Sequence, residues 1–207
     1  VSFMGEVDLT TVEEVRGDTL ARDGWKPSYT AFVVKALALA LRDFPYANRR
    51  LLERWLPFRA SWLQEFDTCD VSVAIERSEC DAESVAFLDV IREADKLSLQ
   101  QITQRLWRMA RADERSNAQW HSFKWIARNL PRCLAAALLR LPVCFPRAWY
   151  RYRGGAALIS SPARYGVDAV LGTWTAPLGL SFGLVKERAV VRGGARGGLP
   201  DLHAPPQ

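Results

Sequence analysis

The spacing of hydrophobic and polar residues predicts helices at two places where a hydroxyl residue precedes Glu or Gln by three positions. Thr11 with Glu14 has this capping-box spacing and predicts a first helix over about 12–21. Ser98 with Gln101 has the same spacing and predicts a later helix. Helical spacing of apolar residues continues after Ser98 at Leu99, Ile102, Leu106 and Met109.

Another predicted helix follows a break at Gly24. It begins near Ser28 or Thr30, is stopped by Pro45 and is apolar on most sides, so we expect it to be buried against a sheet. The remaining hydrophobic stretches are typical of strands, because they alternate or form short apolar runs. These stretches are 69–76, 84–93, 156–160, 178–185 and 188–194.

Residues 115–153 are unusually rich in Trp and Arg, and prolines at 131, 142 and 146 predict that they form short helical pieces. Between Arg115 and Val167 there are nine Lys or Arg and no acid, although the whole chain has a net charge of only +5. We interpret the segment as helices that cover the domain, with arginine stems packed over tryptophan rings. The alternatives are an anionic membrane, nucleic acid, or a phosphorylated ligand such as coenzyme A.

The composition is that of a globular protein. The chain has 207 residues, of which 49% are hydrophobic and 25% charged, enough for one sizeable core. No apolar run approaches the roughly 20 residues that span a bilayer, and no charged leader begins the chain, so we expect a soluble, cytoplasmic protein. Four cysteines, at 69, 80, 133 and 144, form no CxxC pair. They predict scattered, mostly buried thiols rather than a metal site.

Three motifs that suggest chemistry have ordinary structural interpretations. A G-x-S-x-G pattern surrounds Ser181, with Asp201 and His203 after it, but strand-like sequence follows where a hydrolase elbow needs a helix. We therefore interpret Ser181 as a strand residue. The glycine-rich 193–198 precedes no predicted helix that would bind a phosphate, and is interpreted as a turn. His121 stands among aromatic residues and is interpreted as a packed or surface residue rather than a base.

The order of the segments resembles one known family. "EVDLTTVEEVR", "KPSYTAFVVKALALALRDFPYANRRL", "CDVSVAIE" and "VIREADKLSLQQITQRL" resemble successive blocks of the catalytic domain of the 2-oxo acid dehydrogenase acyltransferases, the E2 components. "LISSPARYGVDAV" is similar to that family's Ile-Ser-Asn/Ser-x-Gly-x-x-Gly turn, and "LSFGLVKERAVVRGG" to its next strand pair. The resemblance runs from about Glu6 to Gly194. It implies an α/β fold of the chloramphenicol acetyltransferase type, a two-layer α+β sandwich with helices covering a mixed β-sheet.

The resemblance also implies a homotrimer with active sites between subunits, where an acyl group passes between a thioester and a thiol. Coenzyme A or its acyl form is then a substrate, and no metal is needed. Ser160 occupies the position that stabilises the oxyanion, and Ser161 stands beside it as a second substrate-binding residue. The alternative is that both serines cap the turn by bonding to backbone. Pro162 and Ala163 replace the family's usual apolar residue and Gly, which puts the position of Ser160 in question.

The family's general base is a histidine in a His-x-x-x-Asp-Gly motif, which no segment of this sequence matches. His203 comes too early and has no Asp-Gly after it. Without a base, the attacking thiol stays largely protonated at neutral pH. Two interpretations stay open: a coenzyme A-dependent acyltransferase with an unknown acceptor, and a catalytically silent trimeric scaffold or partner-binding module of the same fold.

The predicted organisation is a free-standing acyltransferase-like domain over 1–194 and a flexible tail over 195–207. The basic segment 115–153 is then a helical insertion within the domain. No lipoyl domain is recognised in this sequence. Small-molecule acyl donor and acceptor are the expected partners, and neither nucleic-acid binding nor membrane contact is expected.

Overall fold

The computed structural model describes residues 1–52, 61–79, 82–112, 118–168, 170, 174 and 176–187. Its helices are α1 (Thr10–Asp23), α2 (Tyr29–Asp43), α3 (Leu99–Arg111), α4 (Ala118–Asn129), α5 (Arg132–Cys144) and α6 (Pro146–Arg153). Its strands are β1 (Arg49–Leu52), β2 (Trp62–Glu65), β3 (Val71–Glu79), β4 (Ala82–Ile91), β5 (Ala157–Ser160) and β6 (Leu178–Ser181). Short 3₁₀ helices occupy Pro45–Ala47 and Pro162–Tyr165.

Helix α1 exists as predicted, but a different residue caps it. The Asp8 carboxylate accepts hydrogen bonds from the Thr10 N–H (2.9 Å) and the Thr10 hydroxyl (2.6 Å). Thr11 and Glu14 therefore lie inside the helix, and the predicted capping box at these residues is wrong. The predicted end is confirmed, because Gly24 has φ +71° and a left-handed residue of this kind commonly terminates a helix.

Helices α2 and α3 begin at serine caps, as predicted. The Ser28 Oγ accepts a hydrogen bond from the Ala31 N–H at 3.1 Å, and Ser98 forms the complete capping box with Gln101. Both helices pack on one face of the larger sheet, so the prediction of a buried second helix is confirmed. Together they enclose the core residues Ala31, Val34, Ala38, Val71, Val73, Ile91, Ala94, Ile102, Leu106 and Ile159.

The larger sheet has the strand order β4-β3-β5-β6 and is mixed. β3 pairs with β4 antiparallel, whereas β3, β5 and β6 run parallel. β1 and β2 form a separate antiparallel pair, which the hydrophobic pattern does not predict. Helices on a mixed sheet confirm the predicted α/β class. The predicted strand over 188–194 lies outside the described residues, as does the predicted tail.

The described part of the segment 115–153, from residue 118 onward, is helical, and its prolines have three different effects. Pro131 is the residue before α5, and Pro146 begins α6, where its missing N–H costs nothing. Pro142, however, lies inside α5, so the predicted break there is wrong. Because Pro142 is in the last turn, the helix loses one backbone hydrogen bond near its end and continues to Cys144.

Helix α6 lies on the face of the sheet opposite the core. Ser72 alternates with the core residue Val73, so its side chain points to this second face, where its hydroxyl donates to the Arg153 carbonyl. Trp149 is only 1% exposed and donates from Nε1 to the Gly155 carbonyl at 3.1 Å. The predicted covering role is thus confirmed for α6.

Arg92 joins α6 to the sheet. Its guanidinium donates to the fully buried Asp70 carboxylate (2.6 Å) and to the backbone carbonyls of Tyr150 (2.7 Å) and Arg151 (3.0 Å). A buried carboxylate needs such a partner, because an unpaired charge loses its hydration without compensation.

The predicted arginine–tryptophan packing also occurs. The Arg50 guanidinium carbon lies 3.6 Å from the centroid of the Trp149 ring. Burial lowers the pKa of this guanidinium, and its contact with the ring partly replaces the hydration that it loses. The arginine comes from β1 and not from the basic segment, so this contact fixes α6 to the rest of the domain.

The prediction of mostly buried cysteines is wrong for the described residues. Cys133 and Cys144 are exposed on α5 and only Cys69 is partly buried, while Cys80 lies outside the described residues. The length and polarity of the described helices rule out each of them as a membrane span.

Candidate functional site

The parallel strands β5 and β6 end side by side in the larger sheet, beside the middle of β3, which continues to Glu79. Ser160 is the last residue of β5 and pairs in register with Ser181, the last residue of β6. The Phe182 N–H donates to the Ser160 carbonyl at 3.3 Å and extends this pairing by one bond. Ligands in sheets with parallel strands bind outside the carboxyl ends of those strands. The fold therefore brings the predicted residue Ser160 to an edge suited to a ligand.

Adjacent serines at this edge have different hydrogen bonds. The Ser161 Oγ donates to the Phe182 carbonyl at 3.3 Å, as expected of a serine that stabilises the turn. The half-buried Ser160 hydroxyl forms no hydrogen bond with the described part of the chain. The Ser161 hydroxyl is thus engaged with the backbone that follows β6, whereas the Ser160 hydroxyl keeps its full capacity to donate.

Ser181 is a residue of this edge that the sequence analysis did not assign to it. Residues paired in register on parallel strands point to the same face, so the side chains of Ser160 and Ser181 are neighbours. The Ser181 Oγ is buried and has no hydrogen-bond partner in the described residues. Buried hydroxyls nearly always have a partner, so this edge holds a second hydroxyl with unused capacity. The G-x-S-x-G motif does not reveal that Ser181 lies beside Ser160, because this proximity depends on the order and register of the strands.

The hydrolase interpretation of Ser181 has no structural basis among the described residues. Ser181 ends a strand, and 182–187 continue as irregular chain where a nucleophile elbow would begin a helix. The interpretation of Ser181 as a strand residue is confirmed. Asp201 and His203 lie outside the described residues, as does the glycine-rich 193–198.

The turn after Ser160 is fixed by the chain that follows β6. Lys186 pairs with Asp168 at 2.7 Å, and a Cβ added to Gly183 would lie 1.9 Å from the Asp168 carbonyl oxygen. Only glycine permits this approach. Pro162 begins the 3₁₀ helix of the turn, and Ser160 nevertheless stays in register with its neighbour strand.

An ion pair connects this turn to the third parallel strand. Arg164 of the turn contacts Glu76 of β3 at 2.5 Å, and the carboxylate is largely buried whereas the guanidinium is exposed. Arg164 on this turn and Lys186 on the chain that follows β6 thus each have an acidic partner. A phosphate-bearing ligand at this edge would need additional positive charge from elsewhere.

A cavity of about 180 Å³ lies at the other end of β3, lined by Arg42, Cys69 and Lys96 among others. Cys69 precedes β3 and Ser160 ends the parallel strand β5, so the length of the sheet separates this cavity from the serine edge. Burial, reinforced by the charge of Asp95, raises the pKa of the Cys69 thiol. A thiol of this kind is a weak nucleophile at neutral pH.

Histidine and metal chemistry find little support in the described ranges. His121 is exposed on α4, in agreement with its interpretation as a packed or surface residue. Within those ranges, no group of three or more His, Cys, Asp or Glu side chains is arranged to hold a metal ion.

Comparison with protein families gives one match. The model of the 2-oxoacid dehydrogenases acyltransferase (catalytic domain) matches residues 1–124. The match ends inside α4, so the remaining part of the basic helical segment is beyond it. No curated protein matches the chain.

Several solved structures share the arrangement. The probable dihydrolipoamide acetyltransferase of Listeria monocytogenes is 21% identical, with a TM-score of 0.55 over 92% of this chain and 66% of that one. The dihydrolipoamide acetyltransferase (E2p) of Azotobacter vinelandii, in which a serine, a histidine and an asparagine were investigated for their role in catalysis, is 20% identical. Its TM-score is 0.59 over 91% of this chain and 63% of that one.

The cubic core of a pyruvate dehydrogenase multienzyme complex is 21% identical, with a TM-score of 0.59 over 91% of this chain and 64% of that one. The chain thus spans about two thirds or less of the length of these relatives. At such identities the likeness concerns the fold.

Proposed function

Because the chain belongs to the family of the 2-oxoacid dehydrogenase acyltransferases (catalytic domain), we propose that it transfers an acyl group between a coenzyme A thioester and an acceptor thiol. The likeness to the solved acetyltransferases confirms the predicted chloramphenicol acetyltransferase-like fold. Coenzyme A is proposed as a substrate and no metal takes part. A cytoplasmic location stays a prediction.

The unbonded hydroxyl of Ser160 is the observation that carries this proposal. When a thiolate attacks a thioester carbonyl, negative charge develops on the carbonyl oxygen. A donor that is already in place stabilises this charge more than it stabilises the substrate. Ser160 stands at the carboxyl edge of the parallel strands, and its hydroxyl has no competing bond in the described structure. Ser181, with its buried and unpaired Oγ, lies next to it.

We propose a homotrimer whose subunits complete the site between them. The β1–β2 pair supports self-association, because it exposes Leu51 (56%), Trp62 (70%) and Leu63 (55%). An isolated two-stranded sheet is at best marginally stable in water, so a neighbouring surface is needed to cover these side chains. One structural neighbour is the cubic core of a multienzyme complex.

The second candidate function is the catalytically silent trimeric scaffold. The exposed apolar side chains of the β1–β2 pair fit it as well as they fit an active trimer, and no residue has been assigned as the base that thiolate formation needs. Self-association without any thioester turnover is the behaviour that this candidate predicts.

A matched pair of serine variants tests the enzyme proposal. The full chain is assayed with acetyl-coenzyme A and dihydrolipoamide, and the released coenzyme A is quantified by chromatography. Ser160→Ala is expected to lower turnover at least tenfold, because the loss of one oxyanion donor typically lowers kcat by about a hundredfold to a thousandfold. Ser161→Ala is the control and should stay near the wild-type rate, because its hydroxyl bonds to backbone. Equal rates for wild type and Ser160→Ala would refute the role of Ser160, and no turnover by the wild type would favour the scaffold.

A further inference from the structure

Helix α5 carries an exposed apolar stripe. Leu134, Leu138 and Leu141 follow one another at spacings of four and three residues, so they lie along one side of the helix, and Phe145 follows directly after the helix ends at Cys144. Their exposed fractions are 53%, 40%, 41% and 56%. Large apolar side chains often remain partly exposed singly, but a contiguous row along one helix marks an interaction surface.

The helix has little else to hold it in the fold. Ala135 is its one fully buried residue, and α5 packs against the neighbouring helices α4 and α6. The residues of the stripe are not part of this buried contact. Helix α5 thus leaves most of its apolar surface uncovered, in contrast to the buried apolar helix α2.

The charge around the stripe has one sign. Arg132 and Arg140 are exposed on α5, and Arg128 and Arg147 are exposed at the facing ends of α4 and α6. The sequence has no acid anywhere between Arg115 and Val167. An amphipathic helix with an apolar stripe and basic residues outside it is typical of binding in the interface of an anionic membrane. Arginine stems are long enough to lie along the apolar layer while their charged ends reach lipid headgroups.

We propose that α5 docks on the surface of an anionic membrane, with the stripe facing the acyl chains and the arginines of α4–α6 contacting the headgroups. A second copy of the chain would have to bring an acidic surface to this acid-free basic segment, and the mass in solution distinguishes that contact from membrane binding. Docking differs from insertion, and it agrees with helices too short to span a bilayer. The exposed stripe favours membrane contact over the sequence-based expectation of none, and the sequence alone does not show that exposure.

Co-sedimentation of the full chain with lipid vesicles tests this proposal. Vesicles of phosphatidylcholine alone are compared with vesicles that contain about a third phosphatidylserine. We expect partition into the anionic vesicles to exceed that into neutral ones by about tenfold or more at low salt, and to weaken as salt screens the arginines. Absence of binding, or equal binding to both vesicles, would overturn the proposal.

A pair of variants locates the contact. The double variant Leu134→Ser with Leu138→Ser is expected to reduce partition about tenfold or more, while its unfolding midpoint stays near that of wild type. Leu20→Ser is the matched control, because Leu20 is a similarly exposed leucine (47%) on helix α1, outside the basic segment. Binding that survives the double variant would place the contact elsewhere and overturn the proposal. A double variant that instead changes the mass in solution, without vesicle binding by wild type, would identify an interface between copies.

Discussion

Similar hydrophobic residues are buried in one region of the molecule and partly exposed in another. In the sheet with α2 and α3, apolar side chains such as Val34, Ile102 and Ile159 are completely buried. In α5, leucines of equal hydrophobicity lie half exposed along one side. The family match covers α2, α3, β3 and β4 of the first region and ends within α4, before β5 and β6. The comparison indicates that residues 1–124 supply most of the stabilising core, whereas α5 keeps its apolar surface for contacts outside the chain.

We expect the largest loss of stability from a substitution at the contact that joins α6 to the sheet. Asp70→Ala removes the buried partner of Arg92 and releases the guanidinium that also holds two carbonyls of α6. We expect a loss of about 3–5 kcal/mol in the free energy of unfolding, measured by chemical denaturation, because the Arg92 guanidinium and the Glu93 N–H each lose a hydrogen bond to a buried charged group, worth about 1.5–3 kcal/mol.

Asp67→Ala is the control for this prediction. Asp67 is an exposed carboxylate three positions away, and its removal should change stability by no more than about 0.5 kcal/mol. Equal effects of the two substitutions would mean that the Asp70–Arg92 pair does not hold α6 on the sheet.

The contrast in burial can be measured directly with one leucine and one isoleucine. Ile102→Ala empties a site that is 0% exposed in α3 and should cost about 2–5 kcal/mol, since a buried aliphatic side chain leaves a cavity. Leu138→Ala in α5, where the side chain is 40% exposed, should cost less than about 1 kcal/mol. Similar losses at both positions would contradict the view that α5 adds little to the core.

Cysteine labelling tests the same contrast between the buried core and the exposed helix α5, with a smaller expected effect. Cys133 and Cys144 are exposed on α5, whereas burial raises the pKa of the Cys69 thiol and lowers its thiolate fraction at neutral pH. Peptide mass spectrometry after brief iodoacetamide treatment should find Cys69 modified severalfold more slowly than the α5 cysteines. Because the raised pKa lies above neutrality, labelling of Cys69 should increase as the pH is raised. Fast labelling of Cys69 at neutral pH would show that its surroundings are open to solvent.

The sequence predicts those helices and strands in which apolar residues recur at regular positions. α2, α3, β3 and β5 each carry regular apolar positions, because one face of each meets the core. The β1–β2 pair escaped prediction because its cross-strand partners Leu51 and Leu63 are exposed, which leaves no inside–outside alternation to detect.

The sequence likewise predicts one part of the candidate site and not another. Ser160 was found through the resemblance of a local turn motif, which a sequence displays directly. Its neighbour Ser181 was not, since that proximity follows from the strand order β4-β3-β5-β6 and from a register set across the sheet. The covering of α5 is also non-local: the sequence indicates an apolar helix but not which sides its neighbours reach.

We propose that the edge at Ser160 binds a coenzyme A thioester. Calorimetric titration of the folded full chain with coenzyme A tests this claim. Coenzyme A is common to every acyl donor considered, so the identity of the acyl group does not affect the result. We expect saturable binding near one site per subunit, measured together with the mass of the protein in solution. A folded, self-associated protein that binds no coenzyme A would contradict the claim and leave the scaffold as the function of this fold.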